Sequence, residues 1–225
     1  MIIEYDSIES AIQDLQDGKF IVLLDRKDRE NEGDLIAAGA KVTPQMIHFM
    51  LTYARGAFIA TFMDDAQCER LNLPFMVPPE KNNESNKTNF RYTCDATIAS
   101  SGCSAIERAQ TVNILSGYLR EYKDMHDEGT LVKAITGPED LVRPGHVQPI
   151  SSHPDGLRGR QGHTDGGYTL VKLAGYNPTV AVDMEILDPT GNMAREEHLT
   201  TFAKQHKLKI VSIDQLCSYL SIRKD

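Results

Sequence analysis

The chain has 225 residues, 40% of them hydrophobic and 25% charged, and a net charge of −8. That suffices for one sizeable core and argues against a nucleic-acid-binding surface, and no apolar stretch approaches the roughly 20 residues that span a bilayer. Cys68, Cys94, Cys103 and Cys217 lack CxxC spacing and Met1–Asp6 has no basic, apolar leader, so free thiols and a cytoplasmic location are expected.

Ser7 caps a first predicted helix with Ile8, Ala11, Ile12 and Leu15 on one face and Gly18 at its end. The run Phe20-Ile21-Val22-Leu23-Leu24 reads as a buried strand, and a second apolar run covers Leu35-Ile36-Ala37-Ala38. Thr43-Pro44 opens a helix through Tyr53. Ala57–Met63 is a predicted strand and Asp64–Leu71 a short helix. Residues 77–88 hold turn formers, charges and little that is apolar, which predicts a mobile lid. Phe90–Ala96 is a predicted strand, and Ser104-Ala105-Ile106-Glu107 is a capping box starting a helix to about Tyr122.

Beyond a polar loop, Arg143-Pro144-Gly145-His146 reads as a rigid turn. Val147-Gln148-Pro149-Ile150 is a short extended piece, weakened as a central strand by Pro149. Thr164 is the expected cap of a helix that stops at Gly175. Thr179–Leu187 alternates as a strand should, with Val180, Val182 and Met184 on one face and Ala181, Asp183 and Glu185 on the other. A turn at Asp188–Asn192, a helix near 196–206, a strand at Leu208–Val211 and a helix near 214–221 follow. Strands and helices mix without a strict βαβ rhythm, and no linker divides the chain. A single α+β domain over 1–225 is expected.

Two polar clusters stand out. Asp28-Arg29-Glu30-Asn31-Glu32-Gly33-Asp34 places four carboxylates and an arginine in the loop after the first strand. A charge run is ordinarily a solvated turn, but Asn31 and Gly33 permit tight geometry where sites commonly form. Arg160-Gln161-Gly162-His163-Thr164-Asp165 brings an arginine and a histidine to a helix start, where free N–H groups and the dipole favour an anion. Carboxylate with imidazole suits a divalent metal, and paired arginines suit a phosphate. Asp183 and Glu185 lie on an otherwise apolar strand and need a partner or a function.

In this combination the chain resembles the 3,4-dihydroxy-2-butanone 4-phosphate synthase family. The matching pieces are Asp28–Asp34, Ser101–Arg108, Arg143–His146, Arg160–Thr164, Leu173–Gly175 and Gly191–Arg195, in the family's order. The resemblance implies an α+β homodimer with its active site near the subunit boundary. It implies Mg2+ or Mn2+ held by Glu30 and His163, a sugar phosphate bound by Arg29, Glu30, Asp34, Arg160, Gln161, Gly162, His163 and Thr164, and proton transfers by His146 and Glu185, with Asp183 the other candidate carboxylate. The implied reaction converts ribulose 5-phosphate to 3,4-dihydroxy-2-butanone 4-phosphate and formate, in riboflavin biosynthesis. Departures from the family pattern fall at Ile59, Ser101, Glu107, Asp165 and Met184. They keep open a paralogue acting as a metal-dependent lyase or isomerase on another sugar phosphate. In a synthase, Ile59 is expected to be a wall of the pocket.

Overall fold

The computed structural model describes residues 4–222. Chain order is α1 (Ile8–Gln16), β1 (Ile21–Leu24), β2 (Gly33–Ala38), α2 (Pro44–Phe49), β3 (Ile59–Met63), α3 (Asp65–Arg70), β4 (Asn89–Phe90), β5 (Cys94–Ala96), α4 (Ala105–Leu115), β6 (Leu119–Glu121), β7 (Thr130–Lys133), β8 (Leu141–Ser151), α5 (His163–Leu173), β9 (Ala181–Glu185), α6 (Glu196–His206), β10 (Lys209–Ser212) and α7 (Ile213–Tyr219). One mixed sheet runs β10-β1-β2-β9-β3-β8-β4, with β5 also on β8, while β6 and β7 form a separate hairpin. The β1–β10 and β3–β8 pairs are parallel and the rest of the large sheet is antiparallel.

Because side chains alternate across a strand, the sheet feeds two cores. Val22, Leu35, Ile59, Val182 and Met184 face one, closed by α2, α4 and α6 through Ile47, Val112 and Phe202. Ile21, Ile36, Ala60, Phe62 and Ala181 face the other, closed by α1, α5 and α7 through Leu15, Leu170 and Leu216. The alternation expected for β9 therefore holds, and the α+β expectation is met by one domain of mixed strands and helices. Capping follows the expectation at α1 and α4, where Ser7 and Ser104 accept from the first-turn amides, and Asp64 and Ser212 cap α3 and α7 in the same way.

Several expectations are corrected. The helix from Ser104 stops at Leu115 because Gly117 turns left-handed (φ 92°) and the Tyr118 N–H returns to Asn113 O at 2.8 Å. Leu119 then reaches the core from β6, and the Tyr122 hydroxyl donates to Asn113 Oδ1 at 2.6 Å. The segment through Tyr53 is helical, but α2 ends at Phe49 and a wider π-type turn spans Met50–Ala54. The strand expected over Phe90–Ala96 is split into β4 and β5.

Arg143–His146 is not a free-standing turn but part of β8. Cys94 opposes Val147 while Asp95 opposes Val142, so residues 143–146 bulge between them. Gly145 is required there, since a Cβ would lie 2.1 Å from the Cys94 carbonyl carbon. The piece Val147–Ile150 is central after all, between β3 and the β4/β5 edge. Pro149 is tolerated because its carbonyl accepts from Arg91 N, so its N–H-less side faces the gap between β4 and β5.

Candidate active site

The acidic cluster is the connection of the β1–β2 hairpin. The Asp25 N–H donates to Glu32 O at 2.9 Å, closing the loop, and Asn31 adopts the left-handed conformation (φ 55°) within it. Asp34 lies in β2 itself, opposite Glu185 of β9, while Ile36 opposes Asp183. One face of the sheet therefore carries Asp34, Asp183 and Glu185 side by side. The start of α5 brings His163 onto them.

The His163 imidazole is buried. Its Nδ1 is 3.2 Å from Asp34 Oδ2 and 3.6 Å from Glu30 Oε2, and its Nε2 is buried without a hydrogen-bond partner. Arg29 Nη1 bridges Asp25 Oδ2 and Glu30 Oε2, each at 2.7 Å. The approach of Arg29 to α5 depends on Gly162, where a Cβ would stand 3.0 Å from Arg29 Nη2. That explains another correction: the α5 cap is Gly162, not Thr164, which sits in the first turn and lines the cleft. Arg160 donates to Thr88 Oγ1 at 3.0 Å and lies 3.5 Å from the fully buried Asp165.

These groups surround a cleft of about 110 Å³. Glu30, Glu32, Asp34, Asp183 and Glu185 form its acidic side, Arg29 and Arg160 its basic side, and Phe58, Phe62 and Phe90 its apolar wall. A wider groove of about 770 Å³ runs beside α1 and α7; Asp25 lines that groove, and groove and cleft share no lining residue. Residues 77–88 reach the cleft: Asn86 Nδ2 donates to Glu30 Oε1, and Thr88 holds Arg160.

Burial and crowding set the proton affinities. Burial raises Asp34 and Asp183 well above the usual carboxylate range; the Asp183 charge adds to this at Asp34, and the Glu185 and Glu30 charges at Asp183. Burial also raises Glu185, opposed by His163. Glu30 is lowered by its hydrogen bond to His163, against burial and with help from Arg29. Burial disfavours a charged His163, but Asp34, Glu30 and Asp25 outweigh it and push the imidazole up to about 9. Glu185 thus presents a carboxyl of raised proton affinity at the cleft wall.

The predicted residues are not all brought together. Arg29, Glu30, Asp34, Arg160, His163, Thr164, Asp183 and Glu185 line the cleft. Gln161 lies outside its lining and accepts from Arg26 Nη1 at 2.9 Å. His146 also lies outside, with Nδ1 2.7 Å from Asp95 Oδ2 and its N–H donating to Asp95 Oδ1. Ile59 is not a pocket wall: it is fully buried in the core on the far face of the sheet, as is Met184. The wall comes from its neighbours Phe58 and Ala60. Glu107 caps α4 away from the cleft. Sequence reasoning missed Asp25, for which adjacency to the end of a buried strand was the available signal; Asn86 and Thr88 fall in the segment read as a lid, although nothing in its sequence points to their contacts with Glu30 and Arg160.

A divalent ion fits this donor set. Ligand atoms of Asp25, Glu30 and His163 all lie within 4.8 Å of one another, and the buried, unpartnered His163 Nε2 and Asp25 Oδ1 mark polar capacity that the protein itself does not use. Oxygen-rich sites with few nitrogens suit Mg2+ and Mn2+.

Comparison with known proteins agrees with the geometry. The family profile of 3,4-dihydroxy-2-butanone 4-phosphate synthase matches residues 9–219. A 3,4-dihydroxy-2-butanone 4-phosphate synthase of Agrobacterium fabrum is 38% identical over 95% of this chain and 91% of its own. A probable bifunctional riboflavin biosynthesis protein of rice (Oryza sativa subsp. japonica) is 40% identical over 96% of this chain, which spans only 36% of that protein. Among solved structures, a 3,4-dihydroxy-2-butanone 4-phosphate synthase in complex with two magnesium ions superposes with a TM-score of 0.83 at 31% identity, covering 96% of this chain and 97% of its own.

Proposed function

Since the chain belongs to the 3,4-dihydroxy-2-butanone 4-phosphate synthase family, we propose that it converts ribulose 5-phosphate to 3,4-dihydroxy-2-butanone 4-phosphate and formate in riboflavin biosynthesis, using Mg2+ or Mn2+. The observation that carries this reading is the convergence of Glu30, His163 and the Asp34–Asp183–Glu185 carboxyls with Arg29 and Arg160 in one cleft. When bound there, a divalent ion supplies polarisation of a carbonyl and stabilisation of enediolate charge.

The chain's own groups divide the remaining work. Arg29, Arg160 and the first turn of α5 at Thr164 bind the phosphate end, because guanidinium groups and free helix amides both favour an anion. Glu185, half-buried and with a raised proton affinity, holds or accepts a proton at its carboxyl oxygen beside the sugar carbons. Asp183 lies fully buried beneath it and holds Asp34 through a shared hydrogen bond. The cleft volume is below the roughly 300–1,000 Å³ of ordinary small-molecule sites, so residues 77–88 open to admit a sugar phosphate and close to exclude water.

His146 lies four residues before Ile150, which lines the cleft, and four strand residues span about 13 Å. It therefore serves the site of a second copy: in a homodimer with the cleft at the boundary, the exposed His146 of one chain, held by the buried Asp95, faces the Glu30–His163 cleft of the other. A cytoplasmic location accords with four free cysteines; among the described residues no helix is long and apolar enough to cross a membrane.

The alternative, a metal-dependent lyase or isomerase on another sugar phosphate, rests on the departures from the family pattern. Ile59, Met184 and Glu107 lie away from the cleft, and Asp165 adjoins it only behind Arg160, which favours the synthase. Incubation of the purified protein with ribulose 5-phosphate and Mg2+, with assay of formate, tests the reading. Formate release is expected; substrate binding without formate, with metal bound, would overturn the synthase in favour of the alternative.

A further inference from the structure

We propose that Asp25 is a second carboxylate, and third protein ligand, of the divalent-ion site, an inference that rests on the metal-dependent reading above. Asp25 follows β1 directly and its side chain is fully buried. Oδ2 is occupied twice over, by Arg29 Nη1 at 2.7 Å and by the Glu30 N–H at 3.2 Å. Oδ1 is buried and receives nothing from the protein.

A role as counter-ion to Arg29 accounts for Oδ2 and leaves Oδ1 unexplained. A buried carboxylate oxygen with no donor is costly, because it has surrendered its water without replacement. A cation in the space between Asp25, Glu30 and His163, whose ligand atoms lie within 4.8 Å of one another, removes that cost. His163, a member of the same group of three, likewise keeps one ring nitrogen, Nε2, buried without a partner.

Charge points the same way. Arg29 touches Glu30 directly and cancels its charge, so Glu30 with a neutral imidazole would exert little net pull on a divalent ion. Asp25 restores one negative charge, placed where both Arg29 and the ion can use it. One oxygen orients Arg29 toward the phosphate end of the cleft, and the other serves the metal. The spacing from Asp25 to Glu30 thus couples the two halves of the site through a single carboxylate.

The test is Mn2+ binding to the metal-free full-length protein, read by electron paramagnetic resonance of the free ion and by calorimetry. Asp25→Asn alone leaves Arg29 without its buried partner, and Arg29→Met alone leaves Asp25 with only the Glu30 N–H. Both single variants and the double are therefore first compared in urea unfolding, and the Mn2+ comparison is then Arg29→Met against Arg29→Met with Asp25→Asn. Removing both members of a buried pair is far better tolerated than removing one. The double variant is expected to bind Mn2+ at least tenfold more weakly than Arg29→Met, with the same circular dichroism spectrum. Equal affinity in the two overturns the proposal. Glu30→Gln, measured in parallel, separates the failures. If it weakens Mn2+ while Asp25→Asn does not, only the role of Asp25 falls; if neither matters, the metal site falls with it.

Discussion

His163 and His146 each contact an aspartate, at 3.2 Å and 2.7 Å, yet the two imidazoles sit in opposite environments. His163 is buried at a helix start among Asp34, Glu30 and Asp25, with one nitrogen unpartnered. His146 stands on the bulge of β8 with its side chain 46% exposed, and Asp95 grips both its N–H and its Nδ1. Crowded carboxylates and lost water make the first a place for a cation. The second keeps its outer face free, which suits proton exchange with a group arriving from outside. A histidine's neighbours decide its use more than its own type does.

The largest expected effect breaks the first of these environments. Glu30→Gln and His163→Ala should each lower formate release by on the order of 10³-fold or more, as loss of a main electrostatic stabiliser does. Both should also weaken Mg2+ binding in calorimetry while leaving the circular dichroism spectrum intact. Full activity in either variant removes the metal site.

Next comes the second environment. His146→Ala should reduce the rate by about 10²-fold, the scale of general acid–base catalysis, with Mg2+ affinity unchanged. Mixing chains carrying His146→Ala with chains carrying His163→Ala sharpens the contrast. Random pairing makes half the dimers mixed, each with one intact site, so about a quarter of wild-type activity should return. No recovery after verified subunit exchange would mean that copies do not share sites.

A smaller effect concerns the segment over the cleft. The N–H groups of Asn86 and Thr88 donate to Glu84, at 2.9 and 2.8 Å. Burial alone raises the Glu84 carboxyl, but these bonds and those of the Ser85 and Thr88 hydroxyls together outweigh it and hold the carboxyl down at about 2. A depressed carboxyl stabilises the fold above its unfolded pKa and stops doing so as pH falls through the folded one. Hydrogen-exchange protection of residues 82–88 should therefore drop several-fold as pH falls from 4.5 towards 2, an effect of the order expected when local opening loses a hydrogen-bond cluster. Glu84→Gln should abolish that pH dependence, and its persistence in the variant would implicate another group.

The smallest change lies across the sheet. Ile59→Val, in the core facing away from the cleft, should cost about 1 kcal/mol in urea unfolding. It should leave formate release unchanged, since Phe58, Ala60 and Phe62 of that stretch touch the cleft and Ile59 does not. A changed rate would put Ile59 back at the pocket.

Much of this arrangement was legible in the sequence where the determining interactions are local. The acidic hairpin loop, the capping boxes and the two-faced alternation of β9 depend on residues within a few positions of one another. Arg143–His146 misled because turn-forming residues also make bulges, and only the slipped pairing with Cys94 and Asp95 tells which. Pro149 misled because its meaning depends on whether a neighbour needs its missing N–H. Asp25 went unnoticed because its place after a buried strand does not by itself tell what lies opposite it after folding, and within the predicted lid nothing marked Asn86 and Thr88 as the residues that meet Glu30 and Arg160. The separation of His146 from His163 is likewise a matter of distance along β8, which motif order does not encode.

The position of β9 has a consequence for how the site comes into being. It slots between β2 and β3, hydrogen-bonding to both, although those strands belong to the first 63 residues and β9 begins at residue 181. Until it arrives, β2 and β3 each present an unpaired edge, and Asp34 has neither Asp183 nor Glu185 beside it. Such long-range closure is slow relative to local hairpins, so the acidic loop can be shaped early while the carboxyl face is assembled late. A nascent chain halted before residue 181 should consequently bind Mn2+ poorly and be prone to edge-to-edge association, whatever the quality of its β1–β2 hairpin.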